Sequence, residues 1–160
     1  MQDKNMGNKI LIVEDDSFKL KSLKDFLYAN MVNINIVVAT NLQNAITLIN
    51  ESIFHLILVD MAIPSHPIES GTGSPISLLN GGLQVILEIQ YLDRKDDCIV
   101  LTQYPDVEIC GEYFPIDLAS SNIKDLLDCT VLGCIQYSED TTTWKEDLKE
   151  LLQSYENFNS

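Results

Sequence analysis

The chain has 160 residues, with 10 Lys+Arg against 24 Asp+Glu, and its formal net charge is -14. That length suits one domain able to bury about two thirds of its unfolded surface, and so negative a chain repels phosphate backbones and anionic bilayers, which argues against nucleic-acid and membrane partners. The cysteines (Cys98, Cys110, Cys129 and Cys134) form no C-x-x-C pair and there are only 2 histidines, so neither a zinc site nor a disulfide framework is indicated.

Residues 1–8 read as a polar, flexible tail, too short for a signal peptide, and no apolar stretch reaches the length of a membrane span. A soluble cytoplasmic protein is expected. From residue 9 to residue 156 the chain reads as one domain. KILIV (9–13) predicts a first strand, which stops at Glu14, Asp15 and Asp16. A first helix follows, capped by Asp16 or Ser17 and striped by Leu20, Leu23, Phe26 and Leu27. INIVVA (34–39) is the second strand. Asn41 caps a second helix, whose Leu42, Ala45, Ile46 and Ile49 fall at helical spacing. FHLILVD (54–60) is the third strand and ends on Asp60.

Residues 65–80, rich in Pro, Gly and Ser, read as an expanded loop. A third helix over about 82–92 leads to the fourth strand, DCIVLT (97–102). The expanded segment 104–129 predicts a fourth helix interrupted by Gly111 and Pro115, and LGCIQY (132–137) is the fifth strand. The last helix carries Trp144, Leu148, Leu151, Leu152 and Tyr155, with Thr143 and Glu146 at capping-box spacing. Alternation of apolar runs with helical stretches predicts an α/β fold with a parallel sheet. The runs at 9–13, 54–60 and 97–102 are apolar almost throughout, which suits central strands covered on both faces.

In such a sheet, ligands bind outside the carboxyl ends of the strands, and right-handed crossovers put those ends on one edge. Glu14 and Asp15 end the first strand, Asp60 the third and Thr102 the fourth. Each has a plainer reading. An acid after a strand is often the cap of the next helix, as Asp16 is expected to be, and a threonine is an ordinary strand residue. Their joint occurrence at three strand ends is more specific. Three carboxylates together raise one another's pKa unless a cation intervenes. Mg²⁺, which binds through one or two carboxylates plus waters and a phosphoryl oxygen, is the economical choice.

These residues carry a resemblance. ILIVEDD at the first strand, LILVDMAIP at the third, IVLTQY at the fourth, and the step from Asp15 to Asp60 with Pro64 following, resemble the receiver domain of two-component response regulators. The resemblance implies a doubly wound, flavodoxin-like (CheY-like) five-stranded sheet of order 2-1-3-4-5 with helices on both faces. It implies that Glu14 and Asp15 hold Mg²⁺ together with Asp60 and the backbone carbonyl of Ala62. Asp60 would be the phosphoacceptor, taking its phosphoryl group from a histidine kinase or phosphotransfer protein, and Thr102 the hydroxyl that bonds that group.

There are departures from the family. Its strand-five lysine is replaced by Tyr137, and its aromatic switch position by Cys134. Lys124 is a candidate for the missing charge. The expected function is a stand-alone Mg²⁺-dependent phosphoacceptor that signals through protein–protein interaction with a downstream target, with at most self-phosphorylation and self-dephosphorylation activity. The alternative is a phosphorylation-independent pseudo-receiver acting as an interaction module. A phosphohydrolase is disfavoured because Ala62 stands where a second aspartate would serve as general acid.

Weaker motifs are set aside. Gly71, Thr72, Gly73 and Ser74 form no phosphate loop, since no Lys follows them. His55 and His66 make no convincing ligand set, and Trp144 reads as core.

Overall fold

Every expected strand forms in the computed structural model, which describes residues 7–65, 77–78 and 81–155. The strands are β1 (Asn8–Val13), β2 (Ile34–Ala39), β3 (Leu56–Val59), β4 (Asp97–Thr102) and β5 (Gly133–Gln136). They build a 5-stranded sheet of order β2-β1-β3-β4-β5 in which every pair is parallel. The resemblance implied this order, and the almost wholly apolar runs are indeed its three central strands. β1 begins at Asn8, one residue inside the expected tail.

The helices are α1 (Ser17–Asn30), α2 (Leu42–Glu51), α3 (Gly81–Tyr91), α4 (Ile116–Leu127) and α5 (Thr143–Leu152). Strand side chains alternate between the two faces of the sheet, so each face acquires its own core. Ile10, Ile12, Leu58, Ile99 and Leu101 meet Leu23, Phe26 and Leu27 of α1 and Trp144, Leu148 and Leu152 of α5. Leu11, Val13, Ile57, Val59 and Val100 meet Ala45 and Ile49 of α2, Leu83, Ile86 and Ile89 of α3, and Ala119 and Ile123 of α4. Trp144 is core, as its spacing suggests. Burial raises the thiols of Cys98 and Cys134 to about 12, so at neutral pH they pack as protonated, apolar groups.

Asp16 caps α1, accepting from the amides of Phe18 and Lys19, and Asn41 caps α2. The expected capping box of α5 does not form. Thr142 occupies the cap and makes no side-chain bond there, while its carbonyl accepts from the amides of Lys145 and Glu146.

The expanded segments depart from expectation in an instructive way. At the base of the 65–80 loop, Ile63 and Pro64 pair antiparallel with Leu78 and Ser77. The Gly71–Ser74 motif and His66 lie outside the described residues. In the second segment the chain forms a hairpin, Asp106–Ile109 against Glu112–Pro115, before α4 begins. Its two turn residues, Cys110 and Gly111, both have positive φ (54° and 82°), the conformation that suits a tight two-residue hairpin loop. Gly111 and Pro115 therefore do not interrupt a helix. They close the hairpin and stand at the helix start, while Val107 and Ile109 join the α2–α4 core.

Candidate functional site

Parallel pairing delivers the predicted acids to one edge. Val13 is paired with Val59, so the residues that follow, Glu14 and Asp60, leave the sheet side by side. Backbone bonds fix both: the Glu14 amide donates to the Ala39 carbonyl at 3.0 Å and the Asp60 amide to the Val13 carbonyl at 3.0 Å. One ligand oxygen each from Glu14, Asp15 and Asp60 can be chosen so that all lie within 4.8 Å of one another. Glu14 and Asp60 are buried and Asp15 is exposed. Glu14 Oε2 accepts from the amides of Asp15 and Asp16 at 3.1 and 3.3 Å, which aims Oε1 into the cluster.

Glu14 Oε1 is buried with no hydrogen-bond partner of good geometry. Its close neighbour is the Lys19 ammonium at 2.6 Å, a charge contact rather than a directed bond. An acidic oxygen left in this condition, beside two further carboxylates, fits a hard divalent cation. Burial, followed by the nearby Asp60 charge, outweighs Lys19 and raises the Glu14 carboxyl to about 7. The Asp15 carboxyl is also raised, by burial first and then by Asp60 and Asp16.

Of the remaining predicted residues, Ala62 adjoins this cluster along the chain and Thr102 through the pairing of β4 with β3. The Ala62 amide donates to Asp60 Oδ1 at 3.3 Å. Thr102 is buried at the end of β4, and its hydroxyl accepts from the Tyr104 amide at 3.3 Å. β3 pairs with β4 at Val59 and Val100, so Thr102 stands one residue beyond the level of Asp60 on the adjacent strand. Gly82, near the start of α3, donates its amide to the Met61 carbonyl. A Cβ at Gly82 would lie 2.3 Å from the Asp60 carbonyl oxygen, so only glycine lets the helix approach this closely.

Tyr137, which the resemblance sets against the family's lysine, is buried, and its ring lies 5.1 Å from that of Trp144 at an angle of 47°. Lys124 does not replace the missing charge. It pairs with the exposed Asp128 at 2.9 Å and lines a cleft of about 470 Å³ with Asp96 and Asp97, where β4 begins. That is the opposite edge of the sheet from Asp60.

A cation is nonetheless present, and sequence reasoning missed it. Lys19, in the first turn of α1, is 4% exposed. Its ammonium donates to the Leu101 carbonyl at 2.7 Å and lies 2.6 Å from Glu14 Oε1, 3.5 Å from Asp60 Oδ2 and 5.4 Å from the centre of the Tyr137 ring. A signal existed: Lys19, Leu23 and Phe26 fall at i, i+4 and i+7, on the face that α1 turns to the sheet.

Comparison with known proteins agrees with this architecture. The chain is 30% identical over 150 residues to the Detocs response regulatory protein DtcB of Vibrio alginolyticus, a match covering 91% of this chain and 99% of that protein. It is 20% identical over 142 residues to the uncharacterized protein y4jR of Sinorhizobium fredii, covering 88% of this chain and 94% of that one. Among solved structures, the Mn²⁺-bound response regulator Rcp1 superposes with a TM-score of 0.63 at 15% identity, over 92% of this chain and 94% of that one. TrrA of Thermotoga maritima, solved with Mg²⁺ and beryllium fluoride, gives 0.56 at 23% identity, over 91% and 99%. No protein-family model matches the chain.

Proposed function

Because this chain belongs to the response regulators and has their receiver fold, we propose that Asp60 accepts a phosphoryl group from the phosphohistidine of a histidine kinase or phosphotransfer protein, in a Mg²⁺-dependent reaction. The observation that carries this reading is the convergence of Glu14, Asp15 and Asp60 to within 4.8 Å around an unbonded buried oxygen of Glu14. These three carboxylates, with the Ala62 carbonyl, would hold the ion. When bound, Mg²⁺ offsets the repulsion between an anionic nucleophile and an anionic donor and stabilises charge on the transferring group.

The chain's own residues do the rest. An Asp60 carboxylate oxygen forms the new P–O bond as the P–N bond of the donor breaks. The electron pair of that bond stays with the ring nitrogen, and the imidazole leaves neutral with a proton on its other nitrogen. The Ala62 amide on Asp60 Oδ1 fixes the carboxylate's rotation. The Thr102 hydroxyl, one residue further along the edge, is available to donate to a phosphoryl oxygen because its bond to Tyr104 uses it only as an acceptor. Signalling then follows from a changed surface offered to a downstream protein.

Intact mass after incubation with Mg²⁺ and acetyl phosphate tests this. A phosphoryl adduct in wild type that is lost in Asp60→Asn is expected. Absence of any adduct, together with no binding of beryllofluoride, would sink the reading in favour of a phosphorylation-independent interaction module. Continuous phosphate release would instead indicate a phosphohydrolase.

A further inference from the structure

We propose that Lys19 of α1 is the phosphoryl-binding cation of this site, supplying from a helix the positive charge that receivers draw from the end of the fifth strand. The inference rests on the phosphoacceptor reading of Asp60 and adds a catalytic residue to it.

Burial is the first argument. A lysine is almost never removed from water unless paired, because desolvating an ammonium costs several kcal/mol. Packing alone would place leucine or methionine at this position of the stripe. Lys19 instead donates to the Leu101 carbonyl and lies in charge contact with Glu14 Oε1 and Asp60 Oδ2. Two of those partners are the acids at the reacting centre, and the third is the residue before Thr102.

Distance is the second. At 2.6 Å the ammonium is in full contact with Glu14, whereas at 3.5 Å it is just beyond hydrogen-bond length from Asp60 Oδ2. A phosphoryl group on Asp60 adds oxygens outward from that carboxylate, within reach of a side chain that already points there. The phosphoryl group carries more negative charge than the bare carboxylate, spread over oxygens that can each accept a charge-assisted bond, so the ammonium binds the transferred group more strongly than it binds the carboxylate alone. Lys19 also lines a cleft of about 390 Å³ with Gln103, Tyr104 and Tyr137, beside the acids Asp16, Glu139 and Asp140.

The third argument is the surroundings. Tyr137, the residue standing in the family's lysine position, turns its ring toward Lys19 at 5.4 Å. An aromatic face attracts a cation and cannot compete with it for the phosphoryl group. The helix charge and the aromatic residue after β5 thus occupy the site side by side.

Mg²⁺ affinity by calorimetry and phosphoryl acceptance from acetyl phosphate, measured on wild type, Lys19→Met, Lys19→Gln and Lys19→Arg, separate the possibilities. Removing a positive charge beside the acids should leave Mg²⁺ affinity equal or higher. It should slow acceptance by about tenfold to a hundredfold, the worth of one charge-assisted bond. Lys19→Arg should recover much of the rate. Lys19→Gln, which retains donors for the Leu101 carbonyl, serves if the methionine variant does not fold. Neutral variants that accept phosphoryl at the wild-type rate would overturn the assignment. So would a parallel fall in Mg²⁺ affinity and rate, which marks a structural prop. Absence of an adduct in wild type would instead refute the Asp60 reading itself, and the Lys19 assignment with it.

Discussion

The Lys19 ammonium faces the Tyr137 ring at 5.4 Å, although the two residues belong to α1 and to the segment just after β5. Each accounts for the other. Lys19 puts positive charge where Glu14 and Asp60 concentrate negative charge, and Tyr137 gives it an aromatic wall that continues to Trp144, 5.1 Å away, and from Trp144 to Phe26, a further 5.8 Å.

Restoring a lysine with Tyr137→Lys should therefore not speed phosphoryl acceptance. The new ammonium enters a place already served by Lys19, and the two cations repel. Loss of the Tyr137–Trp144 pair removes about 0.5–1.5 kcal/mol beyond the buried area itself, so a lower melting temperature is expected. Adduct formation timed by intact mass, beside a thermal melt, checks both. A rate increase of tenfold or more would mean that the site lacks a working cation.

Proton and metal compete at Glu14. Its carboxyl is raised by burial from 4.5 to about 7, above the unfolded value. The contribution of such a group to stability is fully present below about 4.5 and is lost as pH rises through about 7, because the folded protein must then hold the carboxylate out of water, a cost that Lys19 offsets only in part. Mg²⁺ acts in the opposite direction, since it binds the ionised form. The rise in melting temperature on adding Mg²⁺ should be small at pH 6 and large at pH 8, and affinity should fall by up to roughly tenfold per pH unit below the Glu14 pKa. A magnesium effect that does not change between those pH values would show that Glu14 is not a ligand.

The carboxylates were legible in the sequence because the end of a parallel strand has one place to go. An apolar run that stops at an acid delivers that acid to the carboxyl edge, and two adjacent strands deliver two. Lys19 was not legible because Leu20, its neighbour, completes an equally good stripe with Leu23 and Leu27, and a lysine is by habit assigned to solvent. Only the packing of α1 shows that the stripe is centred between them, with Lys19 buried and Leu20 half-buried. The 106–115 hairpin was obscured for a different reason. Gly111 and Pro115 break a helix and also make a tight turn and a strand end, and single residues do not say which. At α5, three consecutive threonines offer neighbouring capping registers, and the structure takes the one that places Thr142, not Thr143, at the cap.

Gly82 sets how closely α3 approaches Asp60. Its amide bonds to the Met61 carbonyl, and an added Cβ would meet the carbonyl oxygen of Asp60 at 2.3 Å, backbone against backbone, with no flexible side chain to give way. Gly82→Ala should therefore push α3 outward or shift the Asp60 peptide, at a cost of roughly 1–3 kcal/mol. A shift of the Asp60 peptide moves its carboxylate relative to Glu14 and Asp15, whose positions are fixed by β1, and an outward shift of α3 removes the contact that backs Asp60. The variant should melt earlier than wild type and gain less from Mg²⁺, because the cluster no longer presents its oxygens at one point. A control substitution, Gln84→Ala, changes an exposed position of the same helix and should leave both quantities unchanged. If Gly82→Ala matches that control in melting temperature and in magnesium response, the tight contact between α3 and Asp60 does not position the acid.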